Sequence, residues 1–486
     1  MTQLTVDQAM NLAIAHLQQG RTAEAASLCR QVLQAVPEHK DAIVHLGIAL
    51  HSQGQIEEAR AVFEHGVKVD PSWPQGWNNL GVSLRQMGRL PEAMGAFRRA
   101  LELQPEFPDA LSNLGNALHD AGDPAAAIPM HEKSIALRPA FVNAHCNLAN
   151  ALKFCGRIDD AIAAYRKALT LSPDDPAIHH YLGLTLMLSG QFEQGLAEHE
   201  WRIRIKDPRP VCWDFPKPRW DGSPLQGKSI LLHAEQGFGD TIQFVRYAPL
   251  VAGRGGRVIV QAQPELCRLL GGMPGVERVI SHAETPPPFD VHCQLMSLPF
   301  ILGTTRSTIP APLRYLHADP QRVAHWRRRM EGYPAKLKVG LVWAGQKQYT
   351  DDQNRSLALT MLDPLAGIAG VRFFSLQKGS AALEAQRQGG NLDIIDWSID
   401  LTDFAETAAL IENLDLVISV DTAVAHLAGA LGKPVWILLP FVADWRWTMA
   451  GATSPWYPSA RLIRREHAGD WRKVIETLVQ SLRDLV

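Results

Sequence analysis

Small and apolar side chains in the first two hundred residues recur with a fixed 34-residue period. The prolines Pro37, Pro71, Pro105, Pro139 and Pro173 keep that spacing, as do Gly20, Gly54, Gly88, Gly122, Gly156 and Gly190. Ala25, Ala59, Ala93, Ala127 and Ala161 mark one helix of each unit, and Gly47, Gly81, Gly115 and Gly183, with Ala149 substituting once, mark the other. Small residues let two helices approach closely, and proline cannot continue a helix interior. The pattern predicts six helix pairs, over 6–39, 40–73, 74–107, 108–141, 142–175 and 176–209. From residue 229 the texture changes to short apolar runs alternating with helical segments. Seven strands are predicted, at 229–234, 257–261, 276–280, 339–343, 372–377, 416–420 and 435–439, the signature of parallel α/β construction.

The repeat Trp77-x-x-Leu80-Gly81 … Ala93-x-x-x-Phe97-x-x-Ala100 … Pro105 resembles the tetratricopeptide repeat. One register position carries Asn79, Asn113 and Asn147. A ladder of amides can donate and accept together, which suits the backbone of an extended peptide and equally an ordinary polar surface. His45 and Tyr181 interrupt it at the ends. The sixth unit departs from the pattern: Gly195 replaces the alanine, and Trp201-Arg-Ile-Arg-Ile-Lys206 runs where the proline was due. The expected organisation is therefore a solenoid over 1–206, a proline- and aromatic-rich connector over 207–228, one sheet over 229–317, a charged hinge helix over 318–338 and a second sheet over 339–486.

Two stretches carry candidate chemistry. Leu416–Val420, Asp421-Thr-Ala-Val-Ala-His426 and Val435–Leu439 read as strand, turn, helix and strand, with Asp421 at the cap and the helix amides facing the turn, where an anionic group belongs. His426 lies one helical turn beyond Thr422, placed either to contact phosphate or to pack. Earlier, the first strand enters Gly237-Phe-Gly239 and a helix beginning at Asp240, which serves either as a cap or as a presented carboxylate. The full G-x-G-x-x-G fingerprint is missing, which disfavours a nicotinamide enzyme.

Composition adds mainly exclusions. Lys plus Arg (48) nearly balances Asp plus Glu (50), so nothing global points to nucleic acid. Cys29, Cys146, Cys155, Cys212, Cys267 and Cys293 include no C-x-x-C pair and suit a reduced, cytoplasmic chain. No run reaches 18 uninterrupted apolar residues, so no transmembrane segment is expected.

Glu235-Gln-Gly-Phe-Gly-Asp-Thr, Trp343-Ala-Gly with Arg355-Ser-Leu, and Val420-Asp-Thr-Ala-Val-Ala-His-Leu-Ala-Gly together resemble the ADP-heptose:lipopolysaccharide heptosyltransferases over about residues 229–486. The resemblance implies a two-domain GT-B fold, twin Rossmann-like halves behind the α-solenoid. It implies inverting transfer with Asp240 as general base; Gly237 and Gly239 read as turn glycines on local grounds, and no metal or cofactor is expected. The donor diphosphate of a nucleotide sugar would then sit at Asp421, Thr422 and Ala423. No D-x-D motif occurs, so cationic side chains must share the diphosphate charge; Lys347, Arg355 and Lys378 compete for that role, with His426 beside them. The layout also resembles O-linked N-acetylglucosamine transferase, whose superhelix carries a similar asparagine ladder. That implies a protein or surface glycan as acceptor, recruited through the groove. A repeat scaffold with a relic transferase half is the other reading. Trp436, Trp445, Trp447 and Trp456 read as core, with Asp444 and Arg446 bracing their loop.

Overall fold

The computed structural model describes residues 4–205, 215–235, 237–346, 352–386, 391–467 and 469–486. The chain forms two compact units, Met1–Ile178 and His179–Val486.

The first unit is a helical-repeat solenoid. Its pairs run from Val6–Gln18 with Thr22–Ala35 through Val142–Phe154 with Ile158–Leu171. Two glycine positions per repeat have different causes. Gly54 and Gly88, at φ 75° and 73°, would meet nothing with an added Cβ, so conformation alone selects them. A Cβ on Gly47 or Gly81, by contrast, would fall 2.1 Å from the Phe63 ring or 2.6 Å from the Phe97 ring. Those rings come from the second helix of the same pair and are fully buried or nearly so. The periodic prolines lie just past helix ends; Asp70, for example, closes Ile56–Val69 immediately before Pro71.

The asparagine ladder is partly committed within the solenoid. Asn113 Nδ2 donates to Asn78 Oδ1 at 2.9 Å and Asn147 Nδ2 to Ser112 Oγ at 3.3 Å, each reaching the preceding repeat, while Asn79 Oδ1 accepts from Gln75 Nε2 at 3.0 Å. All three side chains are half-buried.

The second unit begins within the sixth repeat. Helix Phe192–His199 and its 3-10 extension Glu200–Arg204 belong with the sheets; Phe192 packs against Trp445 and Trp456 at centroid distances of 6.1 Å. Of the connector, residues 207–214 lie outside the described residues. Among those described, ten strands form two wholly parallel sheets. The first holds β1 (Ser229–His233), β2 (Arg257–Ala262), β3 (Val276–Ser281) and β4 (Val291–Gln294), in the order β3-β2-β1-β4. The second holds β5 (Leu337–Val342), β6 (Val371–Ser375), β7 (Ile394–Asp396), β8 (Leu416–Val420), β9 (Val435–Leu439) and β10 (Ala460–Arg464), in the order β10-β9-β8-β5-β6-β7. Counted from β5, that is the doubly wound 3-2-1-4-5-6 order, which opens a ligand crevice at the carboxyl ends of β5 and β8. Helix Pro320–Met330 precedes β5.

β4, β7 and β10 were not among the predicted strands. β4 is only four residues long and carries His292 and Gln294, and β7 has three residues. Neither offers a long apolar run, and parallel pairing to a neighbour is what makes each a strand.

Candidate functional site

Beyond β1, Gly237 leads into helix Phe238–Phe244. Gly237 occupies the cap, so the helix starts two residues before the expected Asp240. Asp240 is instead the third helical residue: its Oδ2 accepts the Gly237 N–H at 3.2 Å, and its Oδ1 accepts from the Arg446 guanidinium. Gln236 lies outside the described residues.

After β8, Thr422 rather than Asp421 holds the cap of helix Ala423–Ala430, with Thr422 Oγ1 3.0 Å from Ser419 Oγ. Asp421 therefore does not cap the helix, and its Oδ1 lies 3.9 Å from His426 Nε2. The two helices pack directly against each other. A Cβ on Gly239 would fall 2.8 Å from His426 Cδ2 and 3.7 Å from the Ala423 Cα, so glycine is what lets the two turns meet.

Arg355 reaches the same place across the β5/β8 crevice. Its Nε donates to Asp352 Oδ1 at 3.2 Å and its Nη1 to the Asp421 carbonyl at 3.0 Å. The Asp352–Arg355 pair folds over Gly345, where a Cβ would lie 2.3 Å from the Asp352 carboxylate. Lys378 stands after β6, two strands away from β8, and its Nζ donates to the Ser398 carbonyl at 2.7 Å. Among the described residues, no bond joins it to the Asp421 turn. Lys347 lies outside the described residues.

Arg446 is the group that the sequence left in the background. It is 8% exposed, pairs with both Asp240 and Asp444, and donates from Nε to Gln243 Oε1 at 2.6 Å. Three carboxylates, Asp240, Asp421 and Asp444, thus share the field of Arg446, and Arg355 acts on Asp421 as well. Burial raises the Asp240 pKa above the usual carboxylate range, against the pull of Arg446. Burial holds His426 neutral, and its Nδ1 is bonded to the Tyr457 hydroxyl at 2.8 Å. His426 therefore joins the turns and brings no positive charge of its own.

Burial, and after it the Asp444 charge, push Asp421 up to about 6 against the pull of Arg355. An unfolded aspartate titrates near 3.9, so the folded state holds this proton more tightly, and stability declines between about pH 4 and pH 6 as the proton is lost. Asp421→Asn removes the ionisation. The melting temperature of the variant relative to wild type is expected to climb from about pH 4 to about pH 6 and to level off above that, and a difference that stays flat throughout would mean that Asp421 is not strained.

The tryptophans are structural: Trp436, Trp445, Trp447 and Trp456 are all buried, with Trp445 and Trp456 edge to face at 5.8 Å. Sequence reasoning missed Gln377, whose Oε1 accepts the Trp343 and Ala344 amides at 3.1 and 2.9 Å and so shapes the loop after β5. It also missed Arg202, which pairs with Glu235 in the β1 loop. Neither sits at a telltale spacing from its partner.

Tetratricopeptide-repeat profiles match residues 16–80, 81–122, 109–138 and 155–190. The glycosyltransferase family 9 (heptosyltransferase) profile matches 399–477, the stretch holding Asp421 and Arg446. The chain joins tetratricopeptide repeats to a glycosyltransferase family 9 domain. It is 30% identical over 295 residues to protein FlbA of Caulobacter vibrioides, covering 56% of this chain and 49% of that protein; the chain thus spans about half the length of this curated relative. Similar solved structures include a thermophilic tetratricopeptide protein of Thermus thermophilus, with 22% identity, a TM-score of 0.35, and coverage of 38% of this chain and 100% of that one. Another is the Cut9 and Hcn1 assembly of the APC/C, with 18% identity, a TM-score of 0.39, and coverage of 42% and 40%. Among the described residues, no helix is long and apolar enough to cross a membrane.

Proposed function

We propose that the protein transfers a sugar from a nucleotide diphosphate donor, with inversion and without a metal, to a large acceptor held by the repeats, a protein or a surface glycan. The observation that carries this reading is the meeting of the Gly237–Asp240 turn with the Asp421–His426 turn beside Arg446 and Arg355. In this reading the acceptor hydroxyl attacks the anomeric carbon while Asp240 takes its proton, and the bond to the diphosphate breaks on the opposite face. The departing diphosphate gains negative charge, which the amides at the start of Ala423–Ala430 and the Arg355 guanidinium are placed to stabilise. Arg446 competes with the acceptor hydroxyl for the Asp240 carboxylate, so its bond must lengthen when acceptor enters. The partly unspent amides of Asn113 and Asn147 suit an extended acceptor peptide. The work belongs in the cytoplasm, where nucleotide sugars are made.

Which nucleotide base the donor carries is a question for binding. Calorimetric titration of the full chain with UDP, ADP and GDP is expected to show one clear preference. Folded protein that binds none of the three would favour the scaffold reading.

A further inference from the structure

The sixth repeat sends a charged side chain under the base turn. Arg202, in the 3-10 extension Glu200–Arg204, is 2% exposed. Its guanidinium grips Glu235 with two bonds, Nε to Oε1 at 3.2 Å and Nη2 to Oε2 at 2.9 Å. It also donates to Glu200 Oε1 at 2.7 Å and to Ser297 Oγ at 2.8 Å. The other Glu200 oxygen pairs with Arg219, whose Nε donates to Gln294 Oε1 at 3.1 Å. Gln294 ends β4 and Glu235 follows β1, so the network spans the β1/β4 junction from which the Asp240 turn emerges.

Stability alone is a poor reason for such a network. A buried ion pair is often no better than an apolar pair of the same volume, because desolvation offsets the attraction. Its placement is more informative. Glu235 lies on the short loop that ends at Gly237, whose amide is bonded to Asp240. Without Arg202, the buried Glu235 would either keep a bare charge beside Asp240 or take up a proton and lose its two-pronged hold.

We propose that Arg202, supplied by the sixth repeat, is a positioning residue for transfer: it grips the Glu235 carboxyl group with two bonds and through it holds the Gly237–Asp240 turn in register with the Asp421 turn. This rests on the reading of Asp240 as the base. It makes the sixth repeat part of the construction of the site, in addition to any role in acceptor capture. The charged groups around Asp240 are Arg446, Asp444, Arg202 and Glu235, with Asp421 beyond the neutral His426. Arg202 lowers the Asp240 pKa, so its loss moves that pKa upward.

The test uses the full chain with Arg202→Met, Arg202→Lys and Glu235→Gln. Hydrogen exchange is expected to accelerate at least about tenfold over residues 234–244 in Arg202→Met and to stay at wild-type rates over the first five repeats. Turnover of the preferred nucleotide sugar should fall by up to about 100-fold in kcat, the scale on which a remote change that misplaces a reacting group slows reaction, with donor KM within about threefold. The acid limb of the pH profile should move to higher pH in Arg202→Met and stay near wild type in Arg202→Lys, which keeps the charge but not the two-pronged geometry. Wild-type exchange over 234–244 in a folded Arg202→Met protein overturns the proposal, as does wild-type kcat in that variant. If Arg202→Met does not fold, wild-type exchange and kcat in both Arg202→Lys and Glu235→Gln overturn it instead. A wild-type chain that turns over no nucleotide sugar defeats the transferase reading, while exchange over 234–244 still decides whether Arg202 holds the turn.

Discussion

Asp240→Asn is expected to reduce transfer by roughly 10² to 10⁴, the contribution of a positioned general base, while leaving nucleotide affinity within about twofold. The substitution keeps an amide oxygen for the Arg446 guanidinium. It replaces the oxygen that accepts the Gly237 N–H with either an NH2 group or a rotated side chain, so one helix-start bond is also lost. That structural cost is small beside the chemical one, and calorimetry separates the two, because donor binding does not need the Asp240 proton acceptor. The pH dependence gives a second signature. A base works only when deprotonated, and burial raises the Asp240 pKa above the usual carboxylate range; wild-type rate should therefore fall as pH drops through that raised value. In Asp240→Asn the residual rate should lose this limb. Unchanged turnover in the variant would remove Asp240 from the base role and would shift attention to the other carboxylates, Asp421 and Asp444, in the field of Arg446.

How much of this was legible beforehand follows the range of the interactions. The solenoid could be read from the sequence because a 34-residue period is enforced locally: Gly47 needs the space that Phe63 fills, Gly81 the space that Phe97 fills, and each pair lies within one repeat. β8, helix Ala423–Ala430 and β9 were equally plain, since their apolar runs are buried on both faces. The caps were misread by one to three residues. Phe238 looks like a turn residue between two glycines, yet it opens a helix and packs against Phe404 of the other half at 4.9 Å. Nothing local announces that contact. The same holds for the charges: Arg446 and Asp240 are 206 positions apart, and Arg202 and Glu235 are 33 apart in different elements. Motifs located the two turns, but only the fold shows that Arg446 lies at one of them and that, among the described residues, Lys378 makes no bond to the other.

The largest loss of stability is expected from Arg246→Met. Arg246 is 3% exposed and, among the described residues, bonds to no carboxylate. Its Nε donates to the Gln243 carbonyl at 2.7 Å, its Nη1 to the carbonyls of Trp456 at 2.7 Å and Pro310 at 3.2 Å, and its Nη2 to the Tyr315 hydroxyl at 2.9 Å. The guanidinium also lies over the rings of Tyr315 and Tyr457, at 4.5 and 4.6 Å. Arg246 comes from the first half, Trp456 and Tyr457 from the second, and Pro310 and Tyr315 from the segment that crosses between them, so one side chain ties all three. Methionine keeps much of the stem volume and removes every donor. Each buried acceptor left bare costs about 1–3 kcal/mol, and with partial relaxation the total should be about 3–5 kcal/mol, near the top of what single substitutions do. Lysine should rescue little, since a point charge on a flexible stem can neither fork to separated carbonyls nor stack on two rings. Because the chain has two compact units, denaturant unfolding should be followed by probes in each. The tryptophan-rich second unit should lose midpoint, while the repeats, tracked by exchange over residues 4–178, should not. Wild-type stability in Arg246→Lys would show that charge alone holds the halves together. Among the described residues Arg246 makes no hydrogen bond to the Asp421 turn, so Arg246 variants that still fold should keep nucleotide affinity close to wild type while losing stability.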